Sequence, residues 1–338
     1  MTEPVSAASR PGAAVAEQPQ PERRLQGHFV LVTGAAGFVG AHVCRQLTER
    51  GARVRGLVRS PAKAAERLAP MPVELHVGDV RDATVMQRAL AGCDAVVHLA
   101  AIAIERRGQT YEDVNARGTE RILDAMQATG VRRLVHMSQN GASSALPYRF
   151  LRSKGLAEDA VRASGTHWTI LRPSVIFGRE DEFVNVLARL VRLSPLVYPL
   201  PGGGTARFQP IAVDDVAQVV AASLAESDTI GQAYALGGPA QLALRQMVER
   251  VLVAMDAKRL LLPMPTALLR PLVALAQRIL PNPPVTTELL DLLKIDNVVE
   301  GNALRDTFGI VPTPFAPEEL AYLDGITVRE AIRSLLGR

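Results

Sequence analysis

The chain has 338 residues, 48% hydrophobic and 21% charged, so it is long enough to bury roughly three quarters of its unfolded surface, and global disorder is excluded. Its 38 basic and 34 acidic residues leave a net charge of +4, yet only 4% of residues are aromatic, which speaks against a stacking platform for single-stranded nucleic acid. Cys44 and Cys93 have no neighbouring His/Cys pattern, so neither a disulfide framework nor a metal site has its ligands, and a reducing compartment is the default.

Residues 1–25 hold four prolines, five alanines and scattered charge. Their longest apolar run, Ala13 to Ala16, is too short for an export signal, and Glu3 and Glu17 sit badly in a transit peptide. The segment is read as a disordered tail, and the protein as cytoplasmic.

From Phe29 onward, short apolar runs alternate with helical patterns. Strands are predicted at Phe29 to Thr33, Arg53 to Val58, Val73 to Val77, Ala95 to Leu99, Arg133 to Met137 and His167 to Leu171. Near-continuous apolar runs of this length fit strands covered on both faces by helices, hence an α/β, doubly wound parallel sheet of Rossmann type. Between the first two runs, Val39, Val43 and Leu47 recur at four-residue spacing and Gly51 follows as a stop, which makes a β-α-β unit.

After about residue 178 the alternation loosens. The expected division is a nucleotide-binding domain over 26–225 and a small, discontinuous C-terminal lobe over 226–338, packed over the strand ends. The most apolar stretch, Leu260 to Leu280, contains Pro263, Pro265, Pro271, Arg270 and Arg278, so no transmembrane span is expected. Leu268, Leu272, Leu275 and Ile279 fall on one helical stripe, read first as a helix docked on the protein's own core and second as a membrane or partner surface.

The first β-α turn reads Thr33-Gly34-Ala35-Ala36-Gly37-Phe38-Val39-Gly40. Gly34 permits the tight turn, Gly37 admits a pyrophosphate near the backbone, and Gly40 lets helix and strand pack closely, while free N–H groups of the helix start face the anion. Gly34, Ala36, Gly37, Phe38, Val39 and Gly40 are therefore assigned to a dinucleotide. At the end of the second strand, where a ribose-binding acid would stand, the chain has Val58-Arg59-Ser60. Arg59 is suited to a 2′-phosphate, with Arg55 and Lys63 adding positive potential, so NADP(H) is preferred and NAD(H) is second.

These motifs, with Gly78-Asp79-Val80-Arg81-Asp82, His98-Leu99-Ala100-Ala101, Asn115-Ala116-Arg117-Gly118-Thr119 and Leu171-Arg172-Pro173-Ser174, resemble the extended short-chain dehydrogenases/reductases over about residues 28–225. The resemblance implies that Asp79 and Val80 lie by the adenine, that Leu99, Ala100 and Ala101 back the middle of the cofactor, and that Pro173 and Ser174 approach the nicotinamide. Phe177 to Asn185, Pro201-Gly202-Gly203-Gly204, Phe208-Gln209-Pro210, Val213 to Ala217 and Phe308 to Pro312 resemble its atypical branch, which contains the nucleotide-binding accessory subunit of respiratory complex I and its bacterial relatives. Read without the family, Glu180, Asp181 and Glu182 complement the positive N-terminus of a helix over Phe183 to Leu193.

Active members of the wider family place a Tyr four residues before a Lys, whose ammonium lowers the phenol's pKa for proton transfer. Lys154 matches, but Phe150 stands at the tyrosine position, and a phenyl ring has no proton to give. Tyr148, six residues before Lys154, is off the lysine's helical face and is a candidate substitute only through a loop distortion, with Pro147 before it suited to a helix start. The family also orients the substrate carbonyl with a Ser or Thr just after the fifth strand; here Asn140, an amide, takes that position and Ser138 stands on the strand end. Lys154 keeps a role in holding the nicotinamide ribose. His98 and His136 are read as satisfied core histidines.

The leading reading is therefore an NADP(H)-binding protein with weak or no catalysis that supports a respiratory-complex or quinone-related assembly. A membrane-bound respiratory or quinone-biosynthesis partner is expected, nucleic acid is not, and the cytoplasmic placement extends to a peripheral position at the inner face of the membrane as an expectation. An active oxidoreductase or epimerase on a lipidic or quinone-like substrate is one alternative. A nicotinamide-pool sensor acting through a protein partner is the other.

Overall fold

The computed structural model describes residues 25–106, 108–301 and 303–336. The expected tail lies outside these residues except for Leu25, which is fully buried and donates its N–H to the Arg50 carbonyl, 2.8 Å away. Leu25 thus belongs to the packed chain.

Six strands form at the predicted runs: β1 Phe29–Thr33, β2 Arg53–Val58, β3 Val73–Val77, β4 Ala95–His98, β5 Arg133–Met137 and β6 His167–Pro173. Seven follow: β7 Ile176–Phe177, β8 Val197–Pro201, β9 Arg207–Phe208, β10 Ile211–Ala212, β11 Gln232–Leu236, β12 Leu242–Ala243 and β13 Leu260–Met264. The main sheet has the order β11-β6-β5-β4-β1-β2-β3, with all pairs parallel. β11, on the far side of the expected boundary at 225/226, completes this sheet. The strand order reverses between β1 and β4, so their carboxyl ends open the crevice where such sheets take ligands.

Helices cover both faces because alternate residues of each inner strand point to opposite sides. On one face Val30 and Val32 of β1 pack with Val43, Cys44 and Leu47 of α1 (Phe38–Glu49), Ala64 and Leu68 of α2 (Pro61–Leu68), and α7 (Val213–Ala225). On the other, Phe29 and Leu31 meet Met86 and Leu90 of α3 (Ala83–Leu90), Ile122 and Met126 of α4 (Arg117–Thr129), and Val161 of α5 (Arg149–Ala163). β3 departs from the expectation of burial on both faces: it is a sheet edge, and Leu75 and Val77 are exposed.

A third core, built around Val191, Tyr198, Leu200, Met247, Phe315 and Leu320, holds the C-terminal lobe together. It joins α6 (Val184–Leu193) to α8 (Leu244–Ala254). Next come α9 (Thr266–Ile279), α10 (Thr287–Leu292), α11 (Ala303–Asp306) and α12 (Val328–Leu335). The first reading of α9 as a core-docked helix is corrected. Only Leu269 of its fourteen residues is buried, and the stripe Leu268, Leu272, Leu275 and Ile279 is 56–67% exposed.

Candidate functional site

The phosphate loop leaves β1 through Gly34, whose φ of +70° is left-handed backbone that favours glycine. A Cβ there would stand 3.1 Å from the backbone of Ala100, and one on Gly40 would stand 2.1 Å from the Gly34 carbonyl oxygen. Strand, loop and helix are thus in contact at backbone distance. No side chain caps α1, so the first-turn N–H groups of Phe38, Val39 and Gly40 stand free for an anion. Ala36, beside Gly37, presents its carbonyl to Arg67 at 3.3 Å.

The neighbouring strand end is tied to this loop by hydrogen bonds. Thr33 Oγ1 accepts the N–H groups of Leu99 (3.2 Å) and Ala100 (3.3 Å). It therefore donates its own proton to His98 Nδ1, 2.7 Å away, which leaves His98 Nε2 to donate to Thr119 Oγ1 at 3.0 Å. Thr119 donates on to the Asn115 carbonyl. Burial and the nearby Lys154 ammonium hold His98 neutral, its pKa pushed down to about 3. Asn115 pins the segment after β4 to α5 by accepting from Ile102 N–H and donating to Ser153 Oγ at 3.0 Å. Ala101 is exposed between Ala100 and this anchor.

Arg59 is exposed at the end of β2 and makes no hydrogen bond or ion pair among the described residues, although its charge reaches Asp79. The Asp79 carboxyl is held below the usual carboxylate range: burial opposes, but the hydrogen bonds and charge of Arg81 prevail. Val80 is buried beneath Gly118. The supporting role expected of Arg55 is corrected. Its guanidinium pairs with Glu74 at 2.7 Å, donates to the carbonyls of Ala89 and Ala91, and lies over the Phe29 ring, far down the strand. Lys63 is exposed on α2. The cation on the loop is Arg67, which bridges the Ala36 carbonyl and the Glu180 carboxylate (3.0 Å) and so crosses from α2 to the segment before α6.

On α5, Lys154 is buried and its Nζ donates to the Met137 carbonyl at 2.6 Å. Burial pulls its pKa down to about 8, against the opposing charge of Glu158. Phe150 packs edge-on against Tyr111, with ring centroids 5.7 Å apart, and its N–H donates to Glu288 of α10 at 2.9 Å. The Tyr111 hydroxyl is engaged on the Ala103 carbonyl, and burial raises its pKa. Tyr148 stands at the N-cap of α5 and accepts the Arg152 N–H through its carbonyl. Ser138 has a buried hydroxyl with no partner among the described residues. His136 is not the satisfied core histidine expected: both ring nitrogens are buried without a partner among the described residues, 5.3 Å centroid to centroid from the His98 ring.

Asn140 and Ser174 are turned to a different task. The Asn140 amide donates to Asn297 Oδ1 and the Val298 carbonyl, both at 2.9 Å, and Ser174 Oγ donates to the Asn297 carbonyl at 2.7 Å. Gln209 accepts from Val299 N–H at 3.0 Å. These three side chains clasp residues 297–299 across the ends of β5 and β6, with Pro173 closing β6 beside Leu236. Asp181 is the buried member of its acidic triplet and accepts from the N–H groups of Phe183, Val184 and Asn185 at the start of α6.

Tyr111, Glu288, Arg67 and residues 297–299 were missed by sequence reasoning. They reach the crevice from separate elements and share no spacing with the motifs. A hollow of about 640 Å³ between α4 and α5, lined by Asp124, Gly130 and Thr166, lies at the opposite end of the sheet from the loop.

The family model for NAD(P)H-binding proteins matches residues 34–227. The chain belongs to this NAD(P)H-binding family. It is similar to the mitochondrial NADH dehydrogenase (ubiquinone) 1 alpha subcomplex subunit 9 of Arabidopsis thaliana, 30% identical over 83% of this chain and 73% of the relative. It also resembles the mitochondrial NADH-ubiquinone oxidoreductase 40 kDa subunit of Neurospora crassa, 25% identical over 88% of this chain and 80% of that one. The fold matches dTDP-glucose 4,6-dehydratase of Streptomyces venezuelae with NAD bound, at a TM-score of 0.67 and 23% identity over 90% of this chain and 97% of that one. Among the described residues no helix is long and apolar enough to cross a membrane, and no cluster of ligating side chains would hold a metal.

Proposed function

We propose that this protein binds NADP(H) in preference to NAD(H), holds it with little or no turnover, and supports a respiratory-complex or quinone-related assembly at the inner face of a membrane. The carrying observation is the position four residues before Lys154. Phe150 is packed there against Tyr111, while the Lys154 ammonium is engaged on the Met137 carbonyl. The glycine cradle and the uncapped start of α1 fit a pyrophosphate, Arg59 fits a 2′-phosphate, and Lys154 fits the ribose. Bound nicotinamide would supply a hydride, but no side chain at the usual position supplies the proton that carbonyl reduction also needs. Similarity to complex I subunits supports the assembly role.

An active oxidoreductase has one observation in its favour: the Tyr111 phenol belongs to the ring packed edge-on against Phe150. Its proton is committed to Ala103, and its raised pKa makes it a poor acid. The test is purification without added nucleotide and mass identification of what stays bound, followed by single-turnover oxidation of bound NADPH across quinones, ketones and acyl thioesters. Phe150→Tyr is expected to raise hydride transfer from background, because general acid catalysis contributes on the order of 10²–10⁴-fold. Brisk turnover by the wild type, unaffected by Phe150→Tyr, overturns the non-turnover reading.

A further inference from the structure

α9 adds one side chain, Leu269, to the interior, while Leu268, Leu272, Leu275 and Ile279 stand on one face at i, i+4, i+7 and i+11 and are 62%, 61%, 56% and 67% exposed. Large aliphatic side chains scattered singly are ordinary on a protein surface, but four on one helical stripe are not. α12 is built the same way. Val328, Ile332 and Leu336 are exposed at i, i+4 and i+8, and Ala331 alone is buried. The two helices end on one another: Asn282, just beyond α9, donates its N–H to the Leu335 carbonyl at 3.2 Å and its amide to the Ser334 carbonyl at 2.9 Å.

Charge selects what covers these stripes. α9 carries Arg270 and Arg278 and no acid, and α12 carries Arg329 and Arg333 against Glu330, a net of +3. Glu330 is engaged at the Thr327 N–H, and the Asp291 carboxylate that pairs with Arg270 is shared with Lys294. An apolar stripe flanked by cations matches the boundary between acyl chains and anionic headgroups. At fourteen residues, α9 is too short to span a bilayer and suited to lying in its plane.

We propose that α9 and α12 form a docking surface for an anionic phospholipid bilayer, with Leu268, Leu272, Leu275 and Ile279 entering the acyl boundary. The inference rests on the peripheral placement in the reading above and extends it to lipid itself; it uses nothing of the nucleotide assignment.

The test is flotation of the full chain with vesicles of phosphatidylcholine and phosphatidylglycerol in equal parts, against phosphatidylcholine alone. NADPH binding is read in the same fractions, so loss of nucleotide and loss of lipid are separate results. The wild type is expected to float at least about tenfold better with the anionic vesicles and to be released by salt. Leu272→Gln with Leu275→Gln should abolish flotation while leaving NADPH binding unchanged. As a second measurement, Leu272→Trp should shift its emission to the blue on adding anionic vesicles. No flotation with anionic vesicles, flotation that survives the double substitution, or an unshifted Leu272→Trp spectrum overturns the proposal. So does capture only by native membranes, which would make the receptor a protein.

Discussion

The exposed guanidinium of Arg59 has no partner among the described residues, so in the proposed complex its charge is free for a 2′-phosphate. Arg59→Ala is expected to weaken NADP(H) binding by about tenfold or more and to leave NAD(H) binding nearly unchanged in calorimetric titrations; equal losses for both would remove Arg59 from phosphate recognition. Lys154 allows a prediction whose sign follows from burial. Its pKa falls from 10.5 to about 8 on folding, so between those values the unfolded chain binds more protons than the folded one, and stability rises with pH. Below about pH 8 both states are protonated and the full cost of burying the ammonium is present, on the order of 3 kcal/mol. Melting temperatures measured from pH 7.5 to 10 should therefore climb for the wild type relative to Lys154→Met, with parallel curves indicating that the ammonium is not desolvated.

Helix α5 presents the crevice with Lys154, and its seat depends on a glycine. A Cβ on Gly155 would lie 2.2 Å from backbone atoms of Ser143 and Ser144, closer than any real contact, and the obstacle is main chain that cannot rotate away. Gly155→Ala should push α5 off the segment at 143–144, carry Lys154 from the Met137 carbonyl, and cost about 2 kcal/mol or more in denaturant unfolding. A midpoint within error of the wild type would mean that this loop yields at no cost. The adjacent phosphate loop shows the same economy, with the close approach of Gly40 to the Gly34 carbonyl replacing side-chain packing. Gly34 and Gly40 were legible in the sequence as a spacing. The contact partners of Gly155 were not, because residues 143–144 are brought over the helix by the turn from β5.

At the scale of the whole molecule, the crevice is closed by chain that starts more than a hundred residues beyond the last motif strand. Asn140, Ser174 and Gln209 hold residues 297–299 over the ends of β5 and β6, and Glu288 of the same lobe reaches the Phe150 amide. Asn140→Ala removes two hydrogen bonds and leaves the Val298 carbonyl short of a donor, a cost of about 1–3 kcal/mol. Amide exchange at residues 297–299 should accelerate, while NADPH affinity, which this reading assigns to the loop after β1, stays within about twofold. Unchanged exchange would show that Ser174 and Gln209 carry the clasp alone.

The sequence by itself determined six of the seven strands of the main sheet, the phosphate-loop motif, and the absence of a phenol four residues before Lys154. Each is encoded in neighbouring residues: an apolar run bounded by turn formers, glycines at fixed offsets, one residue type at one helical spacing. Tertiary structure alone decided that β3 is an exposed edge and that Arg55 is withdrawn to Glu74 while Arg67 lies on the loop. It also decided that Asn140 and Ser174 clasp the C-terminal lobe, and that the α9 stripe faces outward. Periodicity reports that a helix or strand has an apolar side and a cation a given reach. Which surface or carboxylate meets them depends on segments far away in the chain, and that information appears only when the chain is packed.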